Sequence, residues 1–212
     1  MASPTTSFSS ISRMSKWLVR WSIGSIIITI IIFILSYTNQ VFSIVLLIHS
    51  VIFNVVIIIG LCWFYGANKN IQAFGAKEIT SSIMAVVWFF IPILNLWKPY
   101  IVAQQIWKAS NPKLNISNGR EWKNLPDSKI IKIWWLVGIS SIFIGIIASR
   151  FLPVLAYGQW PIEYEVSGLR IDYLIDFFYA PTTITYIVAS IFFIRMVRQI
   201  STWQEIKAGK EI

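Results

Sequence analysis

One cysteine, Cys62, and one histidine, His49, stand in 212 residues. A lone cysteine excludes an intrachain disulfide, and a lone histidine without nearby acids or cysteines supplies no zinc ligand set. Charge is also scarce. Asp, Glu, Lys and Arg make up 13% of the chain, about half of the roughly 25% usual in soluble domains. Acids are the rarer sign, 9 against 18 basic residues. Catalytic motifs are missing as well: there is no G-x-S-x-G elbow, H-E-x-x-H helix, P-loop or G-x-G-x-x-G turn. These absences leave no catalytic residue, metal ligand or cofactor to assign.

What the chain has is apolar surface. It is 56% hydrophobic, with a mean hydropathy of +0.67. A fold of this size has too little interior to hide that, so the bilayer acts as solvent for most of it. The net charge of +9 then reads as basic segments held at an anionic leaflet. Nucleic acid is not an expected partner, because no basic stripe accompanies a recognition fold.

The expected fold class is an all-α integral membrane protein with four transmembrane helices. Residues 1–15, rich in Ser and Thr, read as a disordered polar tail. A single membrane domain follows over 16–203, and 204–212 form a basic tail. Arg13, Lys16 and Arg20 precede an uncleaved first span, about 17–37. No Asp, Glu, Lys or Arg occurs from Ser22 to Asn68, which is too long for one crossing and fits a hairpin whose second span is about 41–64. Further spans are expected at about 130–148 and 175–194. In the latter, Thr182, Thr183 and Thr185 are placed to serve backbone groups around Pro181.

Segment 81–97 is different. It is apolar but carries Pro92 and Asn95 inside, with Lys98-Pro99 at its exit. Proline takes the helical partner from the Trp88 carbonyl, and 17 residues reach only about 25 Å against a hydrocarbon core of about 30 Å. Charge decides its reading. Five full crossings divide Lys and Arg seven against eleven. A segment that enters and leaves on one side places all of them but Arg150 and Arg170 on one side. The expectation is one non-crossing, re-entrant or interfacial broken segment, with both termini cytoplasmic.

Two amphipathic interfacial helices are expected beside it. Trp63, Ala67, Asn70 and Phe74 fall at helical spacing and extend the second span to Gly75. In Tyr100–Ser110, Val102, Ile106 and Ala109 share one side, with Gln104, Gln105 and Lys108 on the other. Trp63-Phe64 and Asn70 echo as Trp88-Phe89 and Asn95, but three matching positions are a coincidence rather than a repeat.

Three groups in this chain resemble a known pattern: Trp63-x-Tyr65-x-Ala67-x-x-Asn70; Trp88-Phe89-x-x-Pro92-Ile93-x-Asn95-Leu96-x-x-Pro99; and Ile106-Trp107-Lys108-Ala109-Ser110. Together they are similar to the bacterial membrane family called domain of unknown function 4328. The similarity covers about 60–195 and is dense over 63–110. It departs around 66–69, where such proteins commonly have Gly or a second basic residue. The resemblance implies a multi-pass bacterial membrane protein and no activity; the expected location is the bacterial cytoplasmic (inner) membrane.

Candidate functional residues follow. Asn70, Trp88, Pro92, Asn95, Trp97 and Pro99 form either a structural motif, with Asn95 serving backbone freed by Pro92, or the frame of a cavity, as broken helices do in transporters. His49 and Asn54 lie near mid-depth of the second span, as a helix–helix hydrogen bond or a pathway lining. Asp172 and Asp176, one turn apart, are a wet helix terminus, a cation or proton site, or the only acids a lipid enzyme would have. The leading expectation is a non-enzymatic module binding lipid or a membrane partner. A small oligomeric transporter or channel lined by 81–97 is the alternative.

Overall fold

The computed structural model describes residues 7–36, 43–116, 118–157 and 171–209, with side chains described outside 36, 43, 148–157 and 171–179. Among the described residues it is all helical. Four long helices, α1 (Ser12–Ser36), α2 (Ser43–Ala73), α5 (Lys129–Tyr157) and α6 (Ile171–Lys207), frame two short ones, α3 (Ser82–Val87) and α4 (Lys98–Ser110). Each long helix contains a window apolar and long enough to cross a membrane.

Local chemistry sets the ends. Helix α2 stops at Gly75, whose φ of +90° suits glycine. There the amides of Gly75 and Ala76 donate to the carbonyls of Gln72 and Ile71. The Ser81 hydroxyl accepts from the amide of Met84 and caps α3. Beyond α3 the chain turns through Trp88–Ile93, makes one 3-10 turn at Leu94–Leu96, and restarts as α4 with Pro99 in its first turn. The expected break around Pro92 is therefore present as a helix of six residues followed by turns.

The loops around it are tied together. The Lys77 amide donates to the Gly119 carbonyl at 2.7 Å, and the Trp122 indole donates to the Lys77 carbonyl at 3.0 Å. Glu78 pairs with Arg120 and Lys123.

Helix α6 packs against α5 and α1, α1 packs against α2, and α4 fills the space between α2, α5 and α6. The core gathers at one end of the bundle. Trp63, Ile71, Val102, Ile106, Ile131, Met196 and Ile200 are all fully buried there. The C-terminal turns of α2 and α6 meet the N-terminal turns of α1 and α5 at that end. The excursion 74–128 thus leaves and rejoins the long helices at the same end.

Several expectations are corrected. The tail expected over 1–15 is structured from Ser7 on in its described part: α1 begins at Ser12, Ile11 is buried, and Phe8 stacks on Phe74 with ring centres 5.6 Å apart. Polar serines gain order there because their hydroxyl and amide groups find partners on α2 and α6. The tail expected over 204–212 continues α6 to Lys207, with Gln204 and Glu205 buried. The stripe Trp63, Ala67, Asn70 faces protein, not a membrane surface, because α1, α4 and α6 close over it. Val102, Ile106 and Ala109 are likewise covered by protein, and Gln104 joins them: it accepts from the Ser128 amide and donates to its carbonyl. Cys62 is exposed on α2. Thr185, at Pro181, donates to the carbonyls of Pro181 and Thr182.

Candidate functional site

The polar residues of the 63–110 motif converge on a packed joint. Asn70 is fully buried on α2. Its side chain closes a two-way pairing with the Ser9 backbone, accepting from the amide at 3.0 Å and donating to the carbonyl at 2.9 Å. The same amide group donates to Gln204 Oε1 on α6 at 2.9 Å. Gln204 in turn donates to the Ala67 carbonyl and the Ser110 hydroxyl. One glutamine therefore links α2, α4 and α6. Ser10 adds a bond to Glu205, and the Trp63 indole donates to Ser201 at 3.0 Å. Below them Asn68 accepts from Gln72 and Ser82. In apolar surroundings such bonds are costly to leave unmade, so this cluster fixes the relative positions of the helices.

The remaining motif residues do other things. Trp88 is half-buried with the Lys98 ammonium 5.4 Å from its ring centre. Pro99 is buried in the first turn of α4. Pro92 is exposed, and Trp97 is exposed at the cap of α4. Asn95 donates its backbone amide to Ile91, and its side chain has no hydrogen bond among the described residues. The expected service of Asn95 to backbone freed by Pro92 is therefore not made by its side chain; turns take over the backbone bonding.

His49 and Asn54 part company. His49 on α2 meets the Thr29 hydroxyl of α1 at 3.0 Å, a helix–helix hydrogen bond. Asn54 is exposed and donates to the Ser50 carbonyl of its own helix. Asp172 and Asp176 lie on α6, and their side chains fall outside those described.

A cavity lies elsewhere. Between α2 and α6 runs a crevice of about 300 Å³, lined by Phe53, Val56, Gly60, Phe64, Tyr186, Ser190 and Phe193. From Phe53 to Phe64 it spans about 16 Å of α2. Phe89 of the broken segment and Trp134 of α5 close one end: Phe64 meets Phe89 edge-on at 5.2 Å, and Trp134 meets Phe193 at 5.6 Å. The floor holds the Ser22 hydroxyl of α1, 3% exposed and without a hydrogen-bond partner among the described residues. Farther along, Ser25 and Tyr186 share a hydroxyl–hydroxyl bond of 2.6 Å. Apolar walls with a few placed polar groups are the usual form of a small-molecule pocket, and this volume sits at the lower end of that range.

Sequence reading missed Gln204, Ser22 and Tyr186. The first had a signal. Val197, Ile200 and Gln204 continue one helical face, but Arg195 and Arg198 on the other face ended the apolar run.

Outside the bundle, Asp127 pairs with Lys108 at 2.7 Å and accepts from Tyr100. The Lys108 ammonium, helped by Tyr100 and Lys132, holds the Asp127 carboxyl below its ordinary value. A depressed carboxylate adds stability above its unfolded pKa of about 4 and loses it as pH falls through the folded value. Asp127→Asn is thus expected to flatten the acid limb of the unfolding midpoint below about pH 4. A midpoint-versus-pH series in detergent checks this, and an unchanged limb would refute it.

These features define a helical multi-pass membrane protein whose polar motif is a joint beside an apolar crevice. Residues 30–202 match the family described as a domain of unknown function (DUF4328), and the chain belongs to that family. No curated protein and no solved structure matches it.

Proposed function

We propose that the protein is a non-enzymatic membrane module that binds a lipid acyl chain in the crevice between α2 and α6. The observation that carries this reading is the crevice of about 300 Å³, walled mostly by apolar side chains between helices long and apolar enough to cross a membrane. The flanking helices are apolar enough to lie in the bilayer, so the mouth faces acyl chains. In this reading the broken segment stays on one side of the membrane, and Phe89 stoppers the crevice at its cytoplasmic end. The bacterial cytoplasmic membrane, with both termini inside, is the location this reading takes.

Transport finds less support. The crevice walls are mostly apolar, His49 is taken by Thr29, and Asn54 bonds its own helix.

The test uses the full chain in nanodiscs with a phospholipid carrying a diazirine in its acyl tail. Crosslinks are expected to concentrate on 53–64 and 186–193, and Ser190→Phe should remove most of them. Ser22→Ala should raise stability in detergent by about 1 kcal/mol, since an unpartnered buried hydroxyl costs about 1–3 kcal/mol. Crosslinks spread evenly over every apolar helix face, and indifferent to Ser190→Phe, would defeat the proposal.

A further inference from the structure

The outward face of α6 carries one continuous stripe. Ile184, Ile191, Arg195, Arg198 and Thr202 follow at helical intervals of seven, four, three and four residues, so they stack on one side. Both isoleucines and both arginines are exposed. The opposite side of this helix, Met196, Val197, Ile200 and Gln204, is fully buried. The stripe is apolar along the span and turns cationic at its end.

At that end is a pocket of about 480 Å³, lined by Ile130 of α5 and by Arg195, Arg198, Gln199, Thr202 and Trp203. It holds two guanidinium groups and no carboxylate. Among the described residues neither arginine has an ion-pair partner; Asp127 is engaged by Lys108 and Glu205 by Ser10. Lys129 and Lys132 flank Ile130 in sequence and add to the positive field. Trp203 is braced by Trp107, with ring centres 4.7 Å apart.

We infer that this pocket binds the phosphate of an anionic glycerophospholipid, whose tails run down Ile191 and Ile184. Guanidinium forks match phosphate oxygens, and the Gln199 amide and Thr202 hydroxyl supply neutral donors beside them. The stripe selects a lipid over a soluble phosphate, because the apolar path begins one turn from the arginines. Trp203 suits the headgroup layer, where an indole is half wet. The inference rests on the lipid-module reading only in placing this end of the bundle at a membrane surface. It uses a different face of α6 from the crevice, so Ser190→Phe is expected to leave it intact.

The experiment reconstitutes the full chain in phosphatidylcholine vesicles with a minor fraction of phosphatidylglycerol. The protein is then extracted gently, and the retained lipid is identified by native mass spectrometry. Phosphatidylglycerol should be enriched over its bulk share. R195Q/R198Q should return retention to the bulk ratio, R195K/R198K should keep part of the enrichment, and added salt should weaken it. Both arginines are exposed, so a normal melting profile is expected for each variant. In a second arm glycerol phosphate, the headgroup without tails, is added to protein in detergent. It should stabilise the chain far less than phosphatidylglycerol does. Enrichment that survives R195Q/R198Q, no enrichment at all, or equal stabilisation by glycerol phosphate would each overturn the inference. Crosslinks spread evenly over every apolar helix face and indifferent to Ser190→Phe, with enrichment retained, would defeat the crevice reading alone.

Discussion

Gln204→Leu is expected to lower the unfolding free energy by about 3 kcal/mol, among the largest effects of any single polar substitution in this chain. Gln204 is fully buried and makes three hydrogen bonds, one each to Asn70, Ala67 and Ser110. Leucine fills similar space but leaves the fully buried Ser110 hydroxyl without this donor. Asn70 retains Ser9, so its share of the loss is smaller. Gln204→Glu should do worse, because a carboxylate cannot donate to the Ala67 carbonyl and buries charge. Asn70→Leu should cost a comparable amount and also release Ser9. The two losses should fall short of additive by about 1 kcal/mol, since they share one bond. Denaturant unfolding in mixed micelles, read by tryptophan fluorescence, measures the wild type, the three single variants and the double variant. A loss below about 1 kcal/mol for Gln204→Leu would show that the joint does not hold the helices together.

Residue 118 is expected on the same side of the membrane as residue 8. The excursion 74–128 begins and ends at the end of the bundle where Ser9 meets Asn70 and Ser10 meets Glu205. Helix α3 has six residues, about 9 Å of rise against a core of about 30 Å. A crossing there would also move the basic residues of 98–132 across the membrane, against the positive-inside bias. Single-cysteine variants test the arrangement in a Cys62→Ala background. Phe8→Cys and Asn118→Cys should react with an impermeant maleimide only after the cells are opened. Thr38→Cys should react on intact cells. Reaction at 118 but not at 8 on intact cells would mean that the broken segment crosses.

Parts of this architecture were legible before folding. The run without charge from Ser22 to Asn68 announced α1 and α2, and Pro92 announced the break after α3. Helical spacing placed Trp63, Ala67 and Asn70 on one face. It misjudged what that face meets, because amphipathic spacing is the same whether the partner is a headgroup layer or another helix. Arg195 and Arg198 ended the predicted span too early for a related reason. One face of a helix can be wet while the opposite face continues into a core, and an average over a window merges the two.

The sequence by itself determined the class of solvent, the four apolar spans, the broken segment and the family. Each is a local property: hydrophobic content, charge spacing, or a proline's missing donor. Only the tertiary structure decided that Asn70 finds Gln204 across 134 positions, that Ser22 is left facing a crevice, and that the arginines of α6 stand at the foot of an exposed apolar stripe. Those are choices of partner between distant segments, fixed when helices pack and satisfy one another's buried polar groups, and no periodicity within a single segment encodes them.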